Sequence, residues 1–184
     1  MRTLLIAAVL ISAVLAAAKA PVSASSQGKP PEGPLPSQLG SVTQTINDTK
    51  ITLDYSRPVA RGRALFGQLV PWGRIWTPGA NDATTITAST DIQVNGQKLP
   101  AGTYTVWSEP KPDAFAVIFN RIFPVFHLRY LDVAHNDVLR VSSTPRQGGH
   151  METLAWYFPV VDGRRAELVF HWGTTVVPLE ITVP

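Results

Sequence analysis

The sequence predicts an all-β protein: an antiparallel β-sandwich or jelly-roll-like barrel of about ten short strands, with at most one or two short helical turns. Three observations predict it. From residue 41 onward, short runs rich in Val, Ile, Thr and aromatic residues alternate apolar with polar positions. Turn residues punctuate those runs, with 16 prolines and 13 glycines in 184 residues. No segment sustains a helical apolar period over several turns.

The strands follow in order. Residues 41–46 and 50–56 alternate about Asn47 and Asp48, a hairpin signal. Residues 83–88 are rich in Thr and Ile, and 91–94 lead into Asn95 and Gly96, which tolerate the positive φ of a two-residue turn. Pro100, Ala101 and Gly102 turn the chain into 103–108, and a proline-containing loop at 109–113 precedes 115–120. The remaining strands are expected at 138–143, 151–158, 166–172 and 175–183. Pro178 cannot donate a ladder hydrogen bond, so it suits an edge strand or a bulge. The best helical candidate is 63–69, one or two turns long. There is no internal repeat.

The N-terminus carries a different signal. Arg2 supplies a positive start, 4–18 is an apolar run interrupted only by Ser12, and Val22, Ser23 and Ala24 fit a small-x-small cleavage pattern. Ala18, Lys19 and Ala20 fit too, but that cut would leave Pro21 first. The organisation expected is therefore a signal peptide at 1–24, a Pro/Ser-rich flexible linker at 25–40 and one β-sandwich domain at 41–184. The apolar run is short of the ~20 residues a membrane span needs, so no span is expected after signal removal, and an uncleaved anchor is the alternative. The expected location is periplasmic or secreted. The chain has no cysteine, so disulfides are excluded and the domain must rely on its own core.

Charge excludes one class of partner. Lys and Arg number 16 against 13 acidic residues, and Arg2 and Lys19 leave with the signal, so the rest is nearly balanced and no nucleic-acid binding is expected. The exception is local. Between Tyr55 and Asn81 stand Arg57, Arg61, Arg63 and Arg74 with no Asp, Glu or Lys, alongside Trp72 and Trp76. Converging guanidinium groups grip carboxylate, phosphate or sulfate; equally, they clamp a long loop onto a sandwich through acids and carbonyls. Both readings are open. Asn81 and Asp82 either present an amide and a carboxylate to a ligand beside a tryptophan, or cap the turn before the next strand.

This segment resembles an exported bacterial family catalogued as domain of unknown function 2911. The resemblance rests on Tyr55, Arg57 and Pro58, Arg61 to Arg63, Phe66 and Gly67, 69–71, Gly73, Trp76 and 79–84, in order and spacing. It continues through 99–104, 117–120, 137–140 and the His171, Trp172, Gly173 close. It implies one β-rich secreted domain and no assigned activity. In the family pattern an Arg or Lys follows the tryptophan matched by Trp76; here Thr77 and Pro78 follow.

Other chemistry is weakly signalled. His127, His135, His150 and His171 have no metal-site spacing, although His150 and Glu152 could project together from a strand. No nucleophile elbow or phosphate loop is present, and no metal or cofactor is expected. The leading expectation is a non-enzymatic envelope domain binding a small acidic or sugar-containing ligand or an envelope protein. Its candidate site residues are Arg57, Arg61, Arg63, Trp76, Asn81 and Asp82. The alternatives are an envelope hydrolase with Asp82 as general base and an arginine stabilising the anion, and a structural module using the strand near Pro178 as a partner edge.

Overall fold

The structure, a computed structural model, describes residues 36–184; the expected signal peptide and most of the expected linker lie outside the described residues. The fold is an all-β sandwich of ten strands in two antiparallel sheets. The strands are β1 (Gln38–Ile46), β2 (Thr49–Arg57), β3 (Thr85–Ala88), β4 (Ile92–Val94), β5 (Gln97–Leu99), β6 (Gly102–Pro110), β7 (Phe115–Asn120), β8 (Asp137–Ser143), β9 (Arg146–Asp162) and β10 (Arg165–Thr182). One sheet runs β1-β2-β3-β6-β7-β8 and the other β5-β4-β10-β9. Among the described residues neither sheet closes into a barrel.

Local turn chemistry sets the hairpins. Asn47 has φ 50° where Ile46 pairs with Thr49, and Asn95 and Gly96 have φ 47° and 77° between β4 and β5. Alternation sets the faces. Along β2, Ile51, Leu53 and Tyr55 are buried while Lys50 and Asp54 are exposed. These residues meet Leu154, Trp156, Leu168 and Phe170 of the facing sheet in the main core. The Tyr55 hydroxyl ties the sheets together, accepting from the Trp156 N–H at 3.0 Å.

Several details differ from expectation, including β9, which runs Arg146–Asp162 rather than 151–158. β1 begins at Gln38 rather than 41, because 38–40 pair with Arg57, Ser56 and Tyr55 despite their linker-like composition. The stretch 97–99 is a strand, and Arg165–Thr182 is one long strand rather than two. Gly173, at φ 59°, sits within a ladder irregularity and not in a turn. Pro178 is not on an edge: β10 lies between β4 and β9. It is tolerated because the β9 ladder ends at Val176 and the β4 ladder begins at Ile181.

Residues 63–69 are not a helix. Leu65 packs against Gly173, where a Cβ would approach Leu65 Cδ1 to 2.9 Å, and Phe66 meets Trp76, Phe115 and Trp172 edge-on. Gly67, at φ 86°, breaks the right-handed run, and the Leu69 and Val70 N–H groups donate five residues back to the Ala64 and Leu65 carbonyls rather than four. The helical turns instead fall at α1 (Tyr130–Val133) and a 3-10 turn (Ala134–Asn136). That excursion covers the outer face of β6 and β7, enclosing a second small core of Trp107, Ile118, Val125 and Tyr130. Asn120, fully buried, pins it by donating to the Val133 carbonyl and Asp137 Oδ1, both at 2.8 Å, and accepting from the Ile122 N–H. Among the described residues, no helix is long and apolar enough to cross a membrane.

Candidate functional site

The segment leaving β2 is fastened to both sheets. Val59 bridges Thr153 of β9, and the Ala60 N–H donates to the Glu152 carbonyl at 2.8 Å. Further on, Trp76 bridges Ser108 of β6, and the Trp156 indole donates to the Pro78 carbonyl at 2.9 Å. Between these anchors the chain folds tightly. Arg61 and Gly62 have φ 54° and 68°, and the Arg63 N–H closes the turn onto the Ala60 carbonyl at 3.1 Å. Positive φ at both central positions belongs to a type I′ turn, which favours Gly, Asn or Asp. An arginine at such a position is uncommon.

The arginines divide into two kinds. Arg57 and Arg63 act on the backbone: Arg57 Nε donates to the Leu154 carbonyl at 3.1 Å, and Arg63 Nε and Nη2 donate to the Ala60 and Val59 carbonyls at 2.9 and 2.6 Å. Arg61 and Arg74 are exposed, and neither guanidinium bonds a described residue. None of the four forms an ion pair with a described Asp or Glu. The nearest acid, Glu152, takes the Arg61 main-chain N–H at 2.7 Å and His150 Nε2 at 2.9 Å. The His150 bond, then the Arg61 N–H and the charge of Arg63, hold its carboxyl below the ordinary value.

Arg61, Arg63 and Arg74 line one cleft of about 520 Å³ with Trp76, Trp172 and His127. That volume suits a small ligand. No Asp or Glu stands among the described residues of its lining. The wall is aromatic: Trp76 and Trp172 stack with centroids 6.0 Å apart, and Trp76 meets Phe170 edge-on. The indole N–H groups of both tryptophans are buried without an acceptor among the described residues, as is Ser108 Oγ. Leaving such a donor unmatched costs about 1–3 kcal/mol.

Of the six sequence-derived candidates, Arg61, Arg63 and Trp76 come together here, and Arg57, Asn81 and Asp82 do not reach the lining. Asn81, at φ 60°, is a staple. Its amide donates to Ser56 Oγ and the Ser37 carbonyl at 2.9 and 3.2 Å, and its carbonyl accepts from the His127 N–H. Asp82 is exposed beside a bridge to Phe126. Thr77, where the family pattern carries a cation, is buried: its hydroxyl donates to the Val106 carbonyl at 2.8 Å and accepts from the Thr84 N–H at 2.9 Å. The side chain at 77 therefore serves the fold.

Sequence reasoning passed over Arg74, His127, Leu128 and Trp172 as site residues. Arg74 was visible in the one-signed segment, but the others reach the cleft from distant strands and loops. His150 and Glu152 do project together, and buried His171 is satisfied by the Gly149 carbonyl and the Tyr157 hydroxyl.

Fold and cleft together define a class: a β-sandwich with an aromatic, cation-lined cleft formed where one long loop meets other strands and loops. The chain belongs to the family described as Protein of unknown function (DUF2911), whose model matches residues 37–181. Comparison with curated proteins and with solved structures returned no match.

Proposed function

We propose that this protein is an exported, non-enzymatic envelope domain whose cleft binds a small anionic ligand against an aromatic wall. One observation carries the reading: three arginines line the cleft, and no described acid on its lining neutralises them. Guanidinium groups left without carboxylates attract carboxylate or phosphate and hold it through paired N–H donors. Arg61 adds support. It occupies a positive-φ position better suited to Gly or Asn, and a strained charged residue at a cleft is a mark of function. Trp76, half-buried, supplies the apolar surface, backed by buried Trp172 stacked behind it. Export is supported by the N-terminal apolar run and small-x-small pattern.

The test is thermal unfolding of the full chain with phenyl phosphate, inorganic phosphate or neutral benzyl alcohol. Phenyl phosphate well above its dissociation constant is expected to raise the midpoint by roughly 5–10 °C, and benzyl alcohol to leave it unchanged. The Arg61→Asn/Arg74→Ala double variant should keep the parent midpoint and lose the rise. Arg63 is retained because its bonds hold the loop. No rise with either phosphate, or an undiminished rise in the double variant, would reject the cleft as an anion site.

A further inference from the structure

Exposed leucines stand on the lip of this cleft, and further exposed apolar residues lie in the segment that carries one of them. Within 121–136, Phe123, Phe126, Leu128 and Leu131 are 50%, 46%, 77% and 86% exposed, and Leu69 on the arginine segment is 43% exposed. Leu69 and Leu128 both line the cleft, so its lip is hydrocarbon where its interior is cationic. Phe126 lies next to them, its ring 4.3 Å from that of His127, another lining residue. Single exposed leucines are ordinary; several together at the mouth of a cleft mark a binding surface. Charge on the lip is slight. Arg129 is neutralised by Asp132 at 2.6 Å, and the described acid beside Phe126 is the single exposed Asp82.

We infer that the ligand is an anionic amphiphile. Its acid group lies against Arg61 and Arg74, and its hydrocarbon tail leaves the cleft over Leu69 and Leu128 toward Phe126. The inference rests on the anion-binding reading above and adds the tail. The chemistry explains the pairing of features: a small hydrophilic anion would use the arginines and leave the leucine lip without purpose. A neutral apolar molecule would use the lip and leave the arginines unmatched. Only a molecule with both parts uses both. A free acid with an alkyl chain and a bilayer lipid present the same chemistry.

Titration calorimetry of the full chain with methyl, butyl and octyl phosphate, each below its micelle threshold, tests this. Each methylene laid on the lip is expected to tighten binding by up to about fourfold, so octyl should bind at least roughly tenfold tighter than methyl phosphate. The Leu69→Ser/Leu128→Ser variant should bind methyl phosphate as the parent does, lose the dependence on chain length, and unfold at the parent midpoint. If octyl binds no tighter than methyl phosphate, the tail is wrong and the anion site stands. If none of the three binds, both readings fall. A chain-length gain that persists in the variant overturns the placement on the lip. Flotation with phosphatidylcholine vesicles, with or without phosphatidic acid, then identifies the source. Weaker retention of the variant on the acidic vesicles assigns a bilayer lipid, and equal retention assigns a free amphiphile.

Discussion

Basic side chains in two parts of this molecule meet different partners. On and around the sheets they face acids: Arg140 lies 2.8 Å from Glu109, Lys98 lies 2.7 Å from Asp91, and Arg146 pairs with Glu167. In the 57–74 segment they meet carbonyls, as Arg57 and Arg63 do, or no described acid, as with Arg61 and Arg74. Exposed ion pairs contribute only about 0–1 kcal/mol, so the sheet pairs matter mainly because they leave little net field. The loop concentrates charge that no described acid pairs directly, although Glu152 lies against its turn. The lesson is that the same residue type stabilises in one region and stays chemically available in the other.

The sharpest break of that comparison lies outside the loop, in the buried network under α1. Asn120→Ala is expected to destabilise the fold by about 3 kcal/mol, because the Val133 carbonyl and Ile122 N–H lose their partner inside the protein. Urea unfolding reads this, and a loss within experimental error would show that the 121–136 excursion is not pinned there.

Next in size is the loop's own buried anchor. Thr77→Val is expected to cost about 2 kcal/mol, since the Thr84 N–H and Val106 carbonyl are both left behind. If calorimetric melting shows no drop, the hydroxyl does not fasten the loop to β6.

A smaller effect depends on pH. Burial first, then the hydrogen bond to Asp137, pushes the Tyr130 hydroxyl up to about 12 from its ordinary 10.0. The pKa is raised in the fold, so the contribution is whole below about pH 10 and fades as pH climbs toward 12. The stability gap between the parent and Tyr130→Phe should therefore narrow across that interval. A gap that is flat or widens there contradicts the assignment.

The least change is expected where function is proposed. Arg61→Asn removes a cation but suits the positive φ, so stability should move by no more than about 0.5 kcal/mol. Chemical denaturation checks it, and a loss of several kcal/mol would make Arg61 a structural clamp like Arg63.

Much of this was legible locally. Asn47, Asn95 and Gly96 announced two hairpins because their turn conformations are intrinsic to those residues. Alternation along β2 revealed which face is buried. The break expected between 172 and 175 is a ladder irregularity at Gly173 rather than a strand end, and 63–69 misled because Gly67 at positive φ and backbone bonds reaching five residues back replace a helical turn. Asn81 left a ligand contact and a turn cap open in the sequence, and its bonds to Ser37 and His127 depend on distant segments that no local pattern reveals.

The sequence by itself determined the all-β class, the hairpin turns and the one-signed arginine segment, because periodicity, turn preference and composition act over a few neighbouring residues, and the order and spacing of its motifs pointed to the family. Only the tertiary structure decided which arginines are clamps and which stay open. It also brought Trp172 and Leu128 to the same cleft as Arg61. Those outcomes depend on where distant strands and loops place carbonyls, acids and rings, and no local pattern encodes that placement.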